Sequence, residues 1–264
     1  NPNIYLPLVS NTRMGIRLNN DQLQFTAIKS WSIKNSNITP DTSSYSYTLT
    51  ESDNFGKAIK IYKDFLIVGS PGMTISASNL KGAVIIYKRS TNNNQWTQSQ
   101  LLIPVDNNVH SNNIENFGSS IAINDTFLVV GSPKYFNSDG ISIGRIWVYK
   151  YNSNTFELLQ CIINPESNAS NSPYDFSHSL SIYENNIFIG APGKSNNSGA
   201  IYIYNYNSSL SDGSSIILST TINDPKSLSN NYFGISLMGS KGKLYVGSYG
   251  ISLDEDNKGG VWLI

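Results

Sequence analysis

The feature that most constrains the fold is a motif that the chain repeats four times. Each copy begins at a phenylalanine, passes through a short β-branched segment that stops at Gly-Ser or Gly-Ala, and continues after a further glycine into another short segment. The phenylalanines are Phe55, Phe117, Phe176 and Phe233. Because the copies lie about 60 residues apart and each holds three or four short strands, the repeat predicts an all-β fold of the β-propeller type.

The residues of the repeat also resemble the FG-GAP repeat of integrin α-subunit propellers. Phe-Gly occupies residues 55–56, 117–118 and 233–234, and Gly-Ser-Pro or Gly-Ala-Pro occupies residues 69–71, 131–133 and 190–192. The resemblance covers residues 54–264. It implies four-stranded antiparallel blades whose first strand lines the central axis, and an extracellular or surface-exposed location. It says little about activity, since one fold hosts many functions.

A degenerate fifth copy near residue 14 sets the expected size of the propeller. We expect a single five-bladed domain spanning residues 1–264, with blades that start near residues 14, 55, 117, 176 and 233. The last copy ends after its third strand, and a strand-like segment at residues 4–9 precedes the first copy. Because an unpaired sheet edge invites aggregation, we expect this N-terminal strand to complete the last blade and close the ring.

The composition excludes several kinds of partner. Charged residues make up 14% of the chain and balance to a net charge of zero, so no long-range field favours nucleic acid or an anionic membrane surface. No apolar run reaches the ~18 residues that a membrane-spanning helix needs, so membrane insertion is not expected. The single cysteine, Cys161, excludes an internal disulfide framework, and its apolar surroundings are typical of a buried, inert thiol.

The positions expected to line the axis lack the groups that a propeller glycosidase needs. Such an enzyme brings two carboxylates together in its central funnel. The axial positions of this chain, which carry no carboxylate, are Arg17, Ala58, Ser120, Ser179 and Ser236.

Other catalytic groups are equally sparse. The acidic residues before three of the phenylalanines, Asp53, Glu115 and Asp175, are interpreted as turn partners because they recur with the repeat. The two histidines, His110 and His178, have no metal-ligand spacing, and His178 is interpreted as a strand residue rather than a base. We therefore predict that the protein is not an enzyme.

Calcium is the cofactor that the resemblance raises, since many FG-GAP blades bind it between their first and second strands. The corresponding turns of this chain are too short and too poor in oxygen ligands for calcium; they are residues 62–64, 124–126, 183–186 and 239–242. One acidic loop offers Asp254 and Asp256 as weak candidate ligands, but Lys258 occupies a ligand position. We expect a solvated loop there, no metal site and no cofactor.

The remaining candidate for a site is the surface formed by the loops before each first strand and between each second and third strand. The antiparallel order places these loops at the same end of the blades, and binding residues concentrate on loops that a rigid scaffold holds. Aromatic residues in or beside the loops are the predicted binding anchors; they are Tyr135, Phe136, Tyr174, Tyr232 and Tyr249. Packing against neighbouring loops is the alternative role for these side chains.

The predicted function is therefore a non-catalytic scaffold that presents this loop face to a protein or glycan partner. Two alternatives remain open: a structural component of a surface or particle, and a glycan-active enzyme of an unrecognised kind. A pull-down or a glycan array would distinguish the scaffold from the structural component, and self-association would favour the latter.

Overall fold

The computed structural model describes most of the chain. The described residues are 4–7, 13–19, 22–28, 38–41, 51–74, 81–92, 95–104, 115–136, 140–152, 154–166, 174–210, 215–250 and 259–264. The chain divides into two compact units, Asn1–Thr39 and Pro40–Ile264. Within the described part, no helix is long and apolar enough to cross a membrane.

The first unit contains one antiparallel sheet of three strands in the order β1-β2-β3. Strand β1 is Ile4–Pro7, β2 is Arg13–Asn19 and β3 is Gln22–Ile28. Asn19 pairs with Gln22 across the β2–β3 connection, where the sequence has Asn-Asp, two turn-forming residues. This sheet holds the first strands expected for the degenerate copy, whereas residues 31–34 and 45–50, expected to complete that blade, lie outside the described residues.

The second unit is an all-β propeller built from four antiparallel blades. A short 3-10 turn, Glu51–Asp53, precedes blade 1. Blade 1 consists of β4 (Ala58–Tyr62), β5 (Phe65–Thr74), β6 (Lys81–Arg89) and β7 (Trp96–Leu102). Blade 2 consists of β8 (Ser120–Ile123), β9 (Phe127–Ser132), β10 (Arg145–Asn152) and β11 (Thr155–Ile163).

The remaining two blades follow the same plan. Blade 3 consists of β12 (Ser179–Tyr183), β13 (Asn186–Ala191), β14 (Ala200–Tyr206) and β15 (Ile216–Asn223), with a single helical turn, Lys194–Asn197, between β13 and β14. Blade 4 consists of β16 (Ser236–Ser240), β17 (Lys243–Ser248) and β18 (Gly260–Leu263), and has three strands in the described residues. Each blade runs in sequence order from its first strand outward.

The predicted count of five blades is wrong, because the described residues form four. The strands near residue 14 belong instead to the sheet of the separate first unit. In that sheet β1 pairs with β2, with Ile4 opposite Ile16 and Pro7 opposite Arg13. Completion of the last blade by residues 4–9 is not shown, so closure of the ring stays a prediction.

The ends of β8 and β9 follow from the turn-forming and strand-ending residues of the repeat. The turn between β8 and β9 is held by Asn124, whose Oδ1 accepts hydrogen bonds from the backbone N–H groups of Thr126 and Phe127 at 2.9 and 2.8 Å. Strand β9 ends at Ser132, directly before Pro133, which has no N–H with which to extend a ladder. Both limits are those that the sequence predicts.

A left-handed turn leads into every first strand. In blade 2 it is made by Asn116, with φ 55°, and by Gly118, with φ 92°. A Cβ at Gly118 would lie 2.6 Å from the carbonyl oxygen of Ala83 in blade 1, so the neighbouring blade leaves no room for a side chain. The equivalent pairs are Asn54 and Gly56, Asp175 and Ser177, and Tyr232 and Gly234. Glycine is therefore the expected residue at the second position of the pair.

Three of the four phenylalanines of the repeat pack between blades, as the sequence predicts, whereas Phe55 is half-buried against residues of its own blade. Phe117, Phe176 and Phe233 are fully buried. The Phe117 backbone forms a bridge with Gly82 of blade 1, and its ring contacts Trp147 edge-on at a centroid distance of 6.0 Å. A Cβ on Gly82 would lie 2.4 Å from backbone atoms of Phe117, which explains why a glycine opens the third strand of a blade.

Amide side chains also connect successive blades. Gln100 on β7 donates from Nε2 to the carbonyl oxygen of Phe156 on β11 at 2.8 Å, and its Oε1 accepts from the Phe156 N–H at 2.9 Å. Gln160 on β11 makes the same two bonds to Ile216 on β15, at 3.2 and 2.9 Å. Each glutamine thus pairs with the next blade as a backbone peptide would, and this joins the outer strands of blades 1, 2 and 3.

Candidate functional site

The loops expected to share one end of the blades do lie together. The N–H of Lys134, in the loop after β9, donates to the carbonyl oxygen of Glu115, before β8. Gly193 donates in the same way to Tyr174 in blade 3. This end of the propeller unit, here called the loop end, is opposite the short turns such as residues 124–126.

Three of the predicted anchors are partly or fully packed at the loop end. Tyr174 is 7% exposed and belongs to the core between blades 2 and 3. The Tyr135 ring lies under the guanidinium of Arg145, with Cζ 4.0 Å from the ring centroid. Phe136 is half-buried and forms a bridge with Ser142. Their role as binding anchors stays a prediction.

The other two predicted anchors form an aromatic pair. The rings of Tyr232 and Tyr249 are stacked, with centroids 4.5 Å apart and an interplanar angle of 22°. Tyr249 is 56% exposed, and Tyr232 is half-buried. Partial burial and the neighbouring Tyr232 hydroxyl raise the pKa of Tyr249 above its ordinary value. The pair therefore offers a broad, neutral aromatic surface at the loop end of blade 4.

The acidic residue before Phe117 belongs to a buried ion pair in blade 2. Glu115 and Arg145 are each 1% exposed, and Arg145 Nε donates to Glu115 Oε2 at 3.1 Å while Nη2 donates to Oε1. The Arg145 guanidinium also lies 4.5 Å from the centroid of Trp147. Because the pair is enclosed by aromatic rings and far from solvent, its role is to hold the loop end of blade 2 together.

Two of the serines predicted to line the axis connect neighbouring blades. Ser120 donates from Oγ to the carbonyl oxygen of Ser177 in blade 3 at 2.6 Å, and Ser179 donates to that of Gly234 in blade 4 at 2.7 Å. Their hydroxyls therefore satisfy backbone groups of the next blade. The first strands carry no carboxylate at these positions, as predicted, and the side chain of Arg17 lies outside the described residues.

Titratable side chains of neighbouring blades interact at the loop end. Lys134 of blade 2 forms an ion pair with Asp175 of blade 3, with Nζ 2.8 Å from Oδ1. His178 directly precedes β12, and it is exposed. The groups that interact electrostatically with His178 are Asp175, Lys134 and, from blade 1, Lys57. We call Lys57, Lys134, Asp175 and His178 the axial cluster. Blades 1 and 3 lie on either side of blade 2, so their residues can interact only at the inner edge of blade 2, which faces the axis.

The environment of the cluster keeps His178 neutral over most of the physiological range. Partial withdrawal from water lowers its pKa below the ordinary value of 6.5. The Asp175 carboxylate acts in the opposite direction, while the ammonium groups of Lys134 and Lys57 lower the pKa further. A neutral imidazole beside an ion pair can accept a proton and, once charged, return it.

Residues in and beside the cluster depart from the internal repeat. Lys134 occupies a position that is glycine in the other three blades, namely Gly72, Gly193 and Gly250. Ser177 stands where the other blades have Gly56, Gly118 and Gly234, and it keeps a left-handed φ of 75° although it is fully buried. A non-glycine residue in that conformation is strained by about 1–2 kcal/mol, and such strain concentrates at functional sites.

Two members of this cluster were visible in the sequence but interpreted otherwise, Asp175 as a turn partner and His178 as a strand residue, and Lys134 and Lys57 were not singled out. The signal that was available is the set of positions at which one blade differs from the repeat. His178 is such a position, since the equivalent residues are Lys57, Ser119 and Ile235.

The described residues contain no group of three or more His, Cys, Asp or Glu side chains that could hold a metal ion. The weak candidate ligands Asp254 and Asp256, and the second histidine, His110, lie outside the described residues. The prediction that the chain binds no metal or other cofactor therefore stays a prediction.

Comparison with known proteins finds similar solved structures, while no family model and no curated protein matches the chain. An exo-1,5-α-L-arabinanase from a bovine ruminal metagenomic library is 7% identical with a TM-score of 0.37, and the match covers 99% of this chain and 91% of that chain. A Cellvibrio cellulosa α-L-arabinanase complexed with arabinohexaose is 8% identical with a TM-score of 0.33, and the match covers 99% of this chain and 90% of that chain.

These findings correct two predictions. Both similar structures are of arabinanases, which are enzymes, so the predictions of a non-catalytic scaffold and of no enzymatic activity are withdrawn. Both predictions rested on the lack of carboxylates at the axial positions. In the structure, Ser120 and Ser179 at those positions bind neighbouring blades, and the titratable groups lie at the loop end.

Proposed function

We propose that the protein is a glycan-active enzyme and that the axial cluster is its active site. The observation that carries the proposal is the convergence of Lys134, Asp175 and His178 from two blades at the loop end, beside Lys57 from a third. A histidine with a perturbed pKa among charged groups that come from separate elements is typical of a catalytic site.

The residues of the cluster have distinct roles in this proposal. His178 transfers a proton, because its neutral imidazole is exposed and its lowered pKa keeps it ready to accept one. Asp175 positions Lys134 through their 2.8 Å ion pair. Lys134 and Lys57 supply positive charge to the substrate or to negative charge that develops on it.

The stacked tyrosines favour a glycan as the substrate. A sugar ring has an apolar face that packs on an aromatic ring, and its hydroxyls remain available for polar groups at the edge. Tyr249 is 56% exposed, and Tyr232 fixes its ring by stacking, so the pair is a preorganised platform at the same end as the cluster. We assign to this pair the binding of a sugar unit away from the reacting bond.

The proposal is tested by incubating the protein with a panel of neutral and acidic polysaccharides and measuring new reducing ends. We expect cleavage of at least one glycan, a loss of about 100-fold or more in His178→Gln, and a raised KM in Tyr249→Ala. Lys243→Gln, an exposed substitution at the start of β17 and opposite the loop end, is the matched control and should retain activity. No new reducing ends from any glycan, or full activity in His178→Gln, would refute the proposal.

Three narrower expectations from the sequence belong with this proposal. The relation to FG-GAP propellers and the extracellular or surface-exposed location remain inferences from the resemblance. Ring closure by residues 4–9 is tested by deleting residues 1–10, which should lower the melting temperature and promote association if an edge is bared. An unchanged, monomeric product would refute closure by that strand.

A further inference from the structure

We infer that the glycan cleaved at the axial cluster is a polyuronate, and that its glycosidic bond is broken by β-elimination rather than by hydrolysis. This inference rests on the proposed function, and it specifies both the substrate class and the reaction. It is carried by the kinds of charged group that meet at His178: two lysines and one carboxylate, with the carboxylate already in an ion pair.

The charge of the cluster favours an anionic substrate. With His178 neutral, the ammonium groups of Lys57 and Lys134 outnumber the single Asp175 carboxylate, so the cluster carries a net positive charge. Lys57 is exposed, and no ion pair involving it is found among the described residues. A uronate carboxylate supplies the missing negative charge.

The same set of groups fits elimination better than hydrolysis. Hydrolysis of a glycoside uses two carboxyl groups, one as the acid and the other as the base or nucleophile. In the described residues, the only carboxylate that interacts electrostatically with His178 is Asp175, and it is bound to Lys134. Elimination needs instead a base for the proton at C5 and positive charge beside the uronate carboxylate, where negative charge develops.

The step balances with the groups at hand. His178 takes the proton from C5, the C5–H electron pair forms the C4=C5 double bond, and the bond between C4 and the glycosidic oxygen breaks. The departing oxygen takes a proton from the imidazolium of His178, which returns to its neutral form. This use of one residue for both transfers requires that the C5 proton and the C4 oxygen lie on the same face of the sugar ring. Lys57 and Lys134 stabilise the charge that passes onto the carboxylate.

The experiment uses the full chain with polymannuronate and polygalacturonate, each paired with its carboxyl-reduced, neutral counterpart. Two readouts are taken on the same samples: new reducing ends, and the ultraviolet absorbance of the unsaturated uronate. We expect both signals from polymannuronate, in which the C5 proton and the C4 oxygen lie on the same face of the ring. We expect neither signal from its reduced counterpart or from polygalacturonate, in which they lie on opposite faces. His178→Gln should lower the absorbance signal by about 100-fold or more. Lys57→Gln should raise KM for the polyuronate several-fold, while Lys243→Gln should leave it unchanged.

The outcomes separate this inference from the proposed function. Reducing ends that depend on His178 but come without the absorbance, or that come only from neutral glycans, would overturn elimination and leave the glycan-active assignment standing. Polyuronate cleavage that is equal in Lys57→Gln and Lys243→Gln would overturn the role of the lysine charge. The melting temperatures of the variants distinguish loss of activity from loss of folding. Asp175→Asn provides a second variant, in which Lys134 loses its ion-pair partner.

Discussion

Lys134 Nζ lies 2.8 Å from Asp175 Oδ1, and this ion pair joins the loop after β9 in blade 2 to the start of β12 in blade 3. Both side chains are partly exposed, so the pair contributes at most about 1 kcal/mol to stability. Its larger effect is on the pKa of the neighbouring His178, which the Asp175 carboxylate raises and the Lys134 ammonium group lowers. The pair is therefore better understood as a feature of a site than as a stabilising contact.

The first prediction concerns the titration of His178. Lys134→Met removes a charge that lowers the pKa of His178 and leaves the Asp175 carboxylate that raises it, so the pKa should increase. Asp175→Asn should have the opposite effect and lower the pKa further. The measurement is an NMR titration of the imidazole protons, which is simple because the chain has two histidines; His110→Gln assigns the signals. Shifts with the same sign in both variants would show that the cluster is not arranged as described.

The second prediction follows from the same pKa and concerns stability. Because the pKa of His178 in the folded state is below its ordinary value of 6.5, the unfolded chain takes up the proton first as the pH falls. The stability that the neutral imidazole contributes is therefore complete above about pH 6.5 and is lost as the pH falls from there to the folded-state pKa. His178→Gln should lose less stability than the wild type over that interval in urea unfolding. Parallel curves for the two proteins would contradict the lowered pKa.

The third prediction concerns the strained residue beside the histidine. Ser177 keeps φ at 75°, while the equivalent residues are Gly56, Gly118 and Gly234. Ser177→Gly should raise stability by about 1 kcal/mol, or about 2–4 °C in melting temperature. The reverse change, Gly118→Ser, is the matched control and should destabilise, because its Cβ would lie 2.6 Å from the carbonyl oxygen of Ala83. A loss of stability in Ser177→Gly would show that the serine is not strained.

If Ser177→Gly is more stable but less active, the strain helps to hold His178 in place for its reaction, and positional precision rather than stability explains the serine. Activity on the polyuronate probes, measured beside the melting temperature, gives this answer directly.

The fourth prediction concerns the glutamines that connect the blades. Gln100→Ala removes two hydrogen bonds to Phe156, and Gln160→Ala removes two to Ile216. Each change should lower the free energy of unfolding by about 1–3 kcal/mol, because partly buried backbone groups lose their partners. The double variant should show nearly additive losses, since the two sites lie at different junctions. Thr220→Ala, an exposed change on β15, should stay within about 0.5 kcal/mol of the wild type.

The repeat made much of the fold predictable from the sequence. The turn at Asn124, the end of β9 before Pro133 and the burial of Phe117 all follow from local rules about which residues can turn, stop a ladder or fill a core. Those rules act over a few residues, and the four copies apply them in the same order. Blade order and most strand limits were therefore available without coordinates, although β5 continues through Pro71 to Thr74.

The number of blades and the exposure of the aromatic residues depended on contacts between distant parts of the chain. The strands near residue 14 look like another copy, yet they belong to a separate unit. Tyr174 precedes a first strand and Tyr249 follows a second strand at the same end of the blades. One is 7% exposed and the other 56%, because residues of blade 2 pack with Tyr174. A local sequence pattern does not determine which neighbouring blade or loop covers a given side chain.

The candidate site shows the same division. The sequence alone determined a β-propeller repeat and the positions at which one blade departs from it, including Lys134, Ser177 and His178. Only the tertiary structure decided that these departures, contributed by different blades, meet at one point with Lys57 and Asp175. The physical reason is that local periodicity determines where each strand begins and ends, whereas the packing of one blade on the next determines which residues of separate blades come within reach of each other's charge.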